Sequence, residues 1–152
     1  MFEMANEFCD DEPPQQYQPR TSTAKNMSHS LKFDADIGIV HLQFAGTVGV
    51  NAIFNGFSEA ILVAESIESF RILSDYLEAA LELSTLQIYS LPDTLSACKP
   101  DSPPWIHRYR HAILAKANDD FRFMETVFNN RAQTAALFET LAEAENWLRP
   151  VQ

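Results

Sequence analysis

The chain has 152 residues, 46% of them hydrophobic and 21% charged, and its 11 Lys and Arg against 21 Asp and Glu leave a formal net charge of −10 at pH 7. A chain of this length hides roughly 70% of the surface it exposes when unfolded, so it folds as one domain without requiring disulfides or a metal. The acidic balance disfavours nucleic acid and anionic membrane as partners, and no apolar run approaches the roughly 18 residues of a spanning helix.

The start, Met1-Phe2-Glu3-Met4, lacks the basic region and apolar core of a secretion signal, which predicts a cytoplasmic protein. Residues 1–29 carry Asp10, Asp11 and Glu12, then Pro13 and Pro14, then a polar stretch with few aliphatics, and are read as a disordered tail. The folded domain is expected over 30–150. The two cysteines, Cys9 and Cys98, are far apart and outside any CxxC spacing, so both are read as free thiols.

Within the domain the period of the apolar residues changes in a readable order. Leu31 to Ala35 and Val40 to Phe44 alternate with period two, and Asp36-Ile37-Gly38 between them predicts a hairpin. Val50, Ile53, Phe54, Phe57 and Ile61 follow the three-and-four spacing of an amphipathic helix that runs to about Ala64, with Thr47 as its expected N-cap. Phe70 to Asp75 reads as a strand. Ser84-Thr85-Leu86-Gln87 is a capping box opening a helix over 84–97, which the prolines between Lys99 and Pro104 end. His111 to Ala115 is a strand, and Asn118 caps a helix carrying Phe121, Met124, Val127 and Phe128. Thr134 to Phe138 is the last strand, and the capping box Thr140 to Glu143 starts a closing helix with Leu141, Ala144, Trp147 and Leu148 inward. Later strands that are nearly continuously apolar, alternating with helices, predict an α/β layer: a mostly parallel five-stranded sheet with one antiparallel edge strand and about four flanking helices.

The segments 71–95 and 119–148 carry an Asp ending the third strand (Asp75), Leu83-Ser84-Thr85 opening the second helix, Phe123-x-Glu125-Thr126-Val127 followed by Asn130-Arg131, and Glu143-Ala144-x-x-Trp147-Leu148. In these motifs the chain resembles the SpoIIAA-like, or STAS-like, domain family, which includes uncharacterised bacterial members. It departs from relatives in having Ala132 where they tend to have Gly. The resemblance implies a compact β–α superhelix, often a homodimer, with a signalling or protein-interaction role. It also implies a switch, because anti-sigma antagonists of this family are phosphorylated on a Ser at the start of the corresponding helix, here Ser84 or Thr85. The chain lacks their Asp-Ser-Ser-Gly pattern, and capping alone accounts for Ser84.

Other candidates are read from the residues. Open α/β sheets bind ligands beyond the carboxyl ends of their strands, an edge that should collect Thr47, Asp75, Lys116 and Asn118. Capping explains Thr47 and Asn118, and a loop hydrogen bond explains Asp75. Trp105 to His111 is a basic, aromatic cluster of the kind that contacts anions or single strands. His107 and His111 are four apart, but no further metal ligand has convincing spacing. The chain has no GxSxG, P-loop, GxGxxG or HExxH, so no catalytic residue and no cofactor are assigned. Phe121, Phe123 and Phe128 are spread round the third helix more widely than one buried stripe requires, which makes Phe123 the expected dimer contact. The expectation is a non-catalytic regulatory or protein-interaction module. Its rival is a binder of a small apolar or lipid-like ligand, lined by Ile53, Phe54, Phe57, Ile61 and Leu62 of the first helix and prompted by relatives likened to lipid-transfer domains.

Overall fold

A computed structural model of the chain describes residues 29–98, 108–131 and 133–149. Apart from His29, the expected N-terminal tail lies outside the described residues, as do the prolines after Lys99, the aromatic Trp105 and His107.

The hairpin forms where the alternation places it. β1 (His29–Asp34) pairs antiparallel with β2 (Ile39–Val48), from His29 opposite Phe44 to Asp34 opposite Ile39. Its turn closes because the Asp34 carboxylate accepts the Asp36 amide at 3.0 Å, while Gly38, at φ +65°, donates its amide to the Asp34 carbonyl. The remaining strands are β3 (Arg71–Leu81), β4 (Arg110–Leu114) and β5 (Thr134–Phe138), all parallel to β2. Four helices follow strands β2 to β5 in turn: α1 (Val50–Ser66), α2 (Thr85–Ser96), α3 (Asp119–Asn130) and α4 (Leu141–Leu148). This is the expected α/β layer with one antiparallel edge.

The sheet order is β1-β2-β3-β4-β5, the order of the chain itself. Crossovers that share one hand and step in one direction put their helices on one face. Accordingly, Ile53 and Phe57 of α1, Ile88 and Leu91 of α2, and Phe121 and Phe128 of α3 share one core with Val40, Leu42, Phe44, Ile72 and Ile113 of the sheet. The opposite face holds a second, smaller core, in which Ala144 and Leu148 of α4 meet Ile39, Leu73, Ala112 and Leu114. Among the described residues, helices therefore cover both faces, three on one and one eight-residue helix on the other.

Three local expectations are corrected. Thr47 does not cap α1, because β2 continues to Val48 and the cap is Gly49, which contributes no side-chain bond. β3 does not stop at Asp75 but runs to Leu81, since β2 supplies a pairing partner for the extra length. Leu141 is 40% exposed rather than inward, because the short α4 buries only Ala144 and Leu148.

The core is tight where α1 crosses β2. A Cβ at Gly56 would stand 3.0 Å from the ring of Phe44, which is fully buried and stacked on Tyr76 at 4.9 Å between centroids. Gly56→Ala should therefore destabilise by about 1 kcal/mol, the strain of overpacking outweighing the helix propensity gained. Urea denaturation checks this; an increase in stability would mean that Phe44 has room to move.

Candidate functional site

Beyond Asp75, β3 and β2 form a two-stranded ribbon, because β4 ends at Leu114, opposite Asp75. The pairing steps from Gln43–Asp75 to Ala45–Glu78, two residues of β2 against three of β3, so the extra residue is a β-bulge on β3. Asp75 holds it in place. Its Oδ1 accepts the Leu77 amide at 3.0 Å, and its Oδ2 lies 3.0 Å from Nε2 of His41. The bulge also exchanges faces: Tyr76 packs in the larger core, and so do Ala79 and Leu81 after it. Burial pushes the Tyr76 hydroxyl well above its ordinary range, so it stays protonated.

A shallow cleft of about 360 Å³ lies beside this ribbon, lined by Tyr76, Leu77, Leu81, Lys116, Asn118 and Phe121. Of the ligand edge expected from the sequence, the fold brings Lys116 and Asn118 together here. Asp75 is directed to His41 instead, and Thr47 is exposed on β2 opposite Ala80, outside the lining. The sheet order never reverses, so the helices do not part to make the crevice in which doubly wound sheets hold ligands. Nor does the start of α3 offer a vacant positive end. Asn118 accepts the Phe121 amide at 2.9 Å, and Asp119 and Asp120 occupy the first turn. The Glu139 carboxylate takes the Ala117 amide at 2.9 Å.

The start of α2 is a different surface. Ser84 Oγ accepts the Gln87 amide at 3.1 Å and Gln87 Oε1 accepts the Ser84 amide at 2.8 Å, completing the capping box. Ile88, Leu91 and Leu95 turn the helix's apolar stripe into the core. On its outer side Leu86 is 72% and Tyr89 53% exposed, next to the exposed Ser84 and Thr85. Arg131 borders this patch, bound to Asp93 at 2.8 Å, with its guanidinium 5.1 Å from the Tyr89 ring centroid. Leu86 and Tyr89 were missed in the sequence, although they follow from it. Once Ser84 is the cap and 88, 91 and 95 point inward, positions 86 and 89 fall outside the buried stripe.

The remaining sequence candidates are structural. Phe123 is half-buried against the larger core, alongside the buried Phe121 and Phe128. Ile53, Phe57 and Ile61 fill the interface between α1 and the sheet, so the groove envisaged for a lipid-like ligand is occupied by side chains. His111 sits in the core between the rings of Phe57 and Phe128, sharing a 2.7 Å hydrogen bond with Ser74. Among the described residues its Nδ1 has no hydrogen-bond partner, so none of them supplies the acid that orients the imidazole in a catalytic triad, and burial pushes its pKa down to about 3. Among the described residues no group of three or more His, Cys, Asp and Glu could hold a metal. The Cys98 thiol is free and receives the Ser58 hydroxyl at 3.3 Å, and burial raises its pKa.

With this geometry in hand, comparison with known proteins places the fold. An uncharacterised protein of the DUF3478 family with a SpoIIAA-like fold, from Shewanella loihica PV-4, superposes with a TM-score of 0.52 over 79% of this chain and 91% of its own, at 16% identity. The anti-sigma factor antagonist SpoIIAA in its unphosphorylated form superposes with a TM-score of 0.48 over 81% of this chain and 99% of its own, at 14% identity. No family model and no curated protein matches the chain. The domain therefore has the SpoIIAA-like fold, and among the described residues no helix is long and apolar enough to cross a membrane.

Two substitutions test the polar groups inside the sheet. Asp75→Ala should cost about 1–3 kcal/mol in urea denaturation by leaving the Leu77 amide of the bulge unpaired; an unchanged midpoint would show that the bulge does not depend on it. For His111 the folded pKa lies below the ordinary 6.5, so above that pH both states are neutral and nothing is lost. As pH falls from 6.5 towards about 3, the unfolded chain binds a proton that the folded chain refuses, and stability drops by of order 4 kcal/mol in all. His111→Gln should flatten that part of the stability profile. A profile as steep as the parent's would assign the acid sensitivity to other groups.

Proposed function

We propose that this domain is a non-catalytic, STAS-type regulatory module that works in the cytoplasm by docking a protein partner on the outer face of α2. The observation that carries the reading is the pair of exposed apolar side chains, Leu86 and Tyr89, on a helix whose other face is already buried. Large apolar groups left in water on a fixed helix face are the usual anchors of a protein interface, and Arg131 with Asp93 supplies a polar rim.

Ser84 and Thr85 make the same surface switchable. Both are exposed at the start of α2, and a phosphate on either adds roughly −1.5 to −2 charges beside the anchors without entering the core. The helix dipole tolerates that charge, so the modification changes the docking surface and spares the fold. A homodimer through Phe123 is not part of this reading, because that ring is already packed against the core. Binding of a lipid-like ligand under α1 is likewise set aside, its space being filled.

The test is co-purification from native cells with the parent domain and with a Leu86→Glu, Tyr89→Ser variant. A partner held by the parent and weakened at least about tenfold by the variant, with an unchanged circular dichroism spectrum, supports the reading. A partner held equally by both moves the interface elsewhere. Ser84→Asp should weaken the same complex while shifting the melting temperature by no more than a few degrees; an unfolded Ser84→Asp domain would contradict the switch.

A further inference from the structure

We propose that the domain takes up an extended segment of a partner protein as an added strand on the free edge of β3. The parallel pairing with β2 decides which main-chain groups are available there. The Glu82 amide donates to the Val48 carbonyl at 2.8 Å, so Glu82, Ala80 and Glu78 turn their amides and carbonyls towards β2. The alternate residues, Ala79 and Leu81, direct theirs to the side on which β4 lies. β4 stops opposite Asp75, and among the described residues no strand meets β3 on that side beyond it.

The cleft of about 360 Å³ beside the ribbon lies where a longer β4 would run. One wall is the edge of β3 from Tyr76 to Leu81, and the other is Lys116 and Asn118, after β4, with Phe121 of α3. The rings of Tyr76 and Phe121 meet there at 5.2 Å between centroids, and Ala79 and Leu81 turn their side chains to the same core. The cleft therefore joins unpaired main-chain donors and acceptors to an apolar floor. A helix keeps its main-chain groups for itself, whereas an extended segment matches both features.

Charge narrows the occupant further. Among the described residues of the lining only Lys116 is charged; it is exposed and makes no ion pair with any of them. It suits a segment with apolar residues at alternate positions and a carboxylate at the end that meets Lys116. A second copy of β3 is a poor match, because it would lay its own Glu78 and Glu82 alongside those already present, between chains each of net charge −10. The edge shares no side chain with Leu86 and Tyr89 of the α2 surface, so the two can be tested separately.

The test is amide hydrogen exchange and chemical-shift titration of the full chain with a short blocked peptide, Val-Ser-Val-Ser-Val-Glu, beside the same peptide N-methylated along its backbone. In the chain alone the Ala79 and Leu81 amides should exchange freely while those of Ala80 and Glu82 are protected, and a saturating amount of the plain peptide should slow the first two at least about tenfold. Ala79→Pro removes an amide that β2 does not use, so it should weaken binding about tenfold or more and leave the Ala80 and Glu82 amides protected. Exchanging the peptide's Glu for Lys should weaken binding, and Lys116→Glu should reverse that preference. Equal binding of the N-methylated peptide overturns the proposal, as does the absence of shifts at Ala79 and Leu81 with the plain one. Protection of those two amides in the chain alone, at any concentration, also overturns it, since the edge would already be filled by the chain itself or by a second copy.

Discussion

A sheet whose spatial order repeats the order of its chain leaves little freedom to the helices that connect it. Each parallel step in the same direction returns over the same face, so α1, α2 and α3 stack on one side and, among the described helices, only α4 is left for the other. The larger core is consequently continuous, running from Val40 and Phe57 through Ile88 to Phe128 and Ala135. The smaller core is confined to the strip that eight helical residues can reach. The exposure of Leu141 on the far face, and the lack among the described residues of a ligand crevice between diverging helices, both follow from that order.

The polar groups within the sheet bind one another and the backbone of the sheet. Asp75 looks functional in the sequence because it ends an apolar run with a carboxylate. In the fold it binds the Leu77 amide of a bulge and the ring of His41, and the bulge lets β3 exchange faces and continue as a ribbon with β2. Ser74 and His111 form a polar pair inside the larger core, where aromatic rings flank the imidazole and hold it neutral. Both pairs lie within the fold, Asp75 taking the Leu77 amide and the His41 ring, and Ser74 the His111 ring.

What the sequence makes legible is what local physics decides. The cap residues Ser84, Asn118 and Thr140 mark three helix starts correctly because a side-chain oxygen and an amide three residues on suffice to define them. Thr47 misleads for the same reason: it is a good cap residue in a place where strand pairing wins. The ribbon is not legible, because Leu77-Glu78-Ala79-Ala80-Leu81 consists of strong helix formers and becomes a strand only through its non-local pairing with β2. Leu141 is misplaced because periodicity says which residues share a helix face, not how far the neighbouring sheet extends beneath it. The motifs that suggest a SpoIIAA-like domain are elements of fold, so they point to the architecture and say nothing of Leu86 and Tyr89, whose exposure follows instead from the spacing of the buried stripe of α2.

A helix α2 with one face in the core and Leu86 and Tyr89 left in water on the other is the claim on which the functional reading stands, and solvent paramagnetic relaxation by a neutral gadolinium chelate measures it residue by residue. Side-chain protons of Leu86 and Tyr89 should relax strongly, while those of Ile88, Leu91 and Leu95 should be almost untouched. Protection of Leu86 and Tyr89 equal to that of Leu91 would mean that the outer face of α2 is closed and would contradict the account.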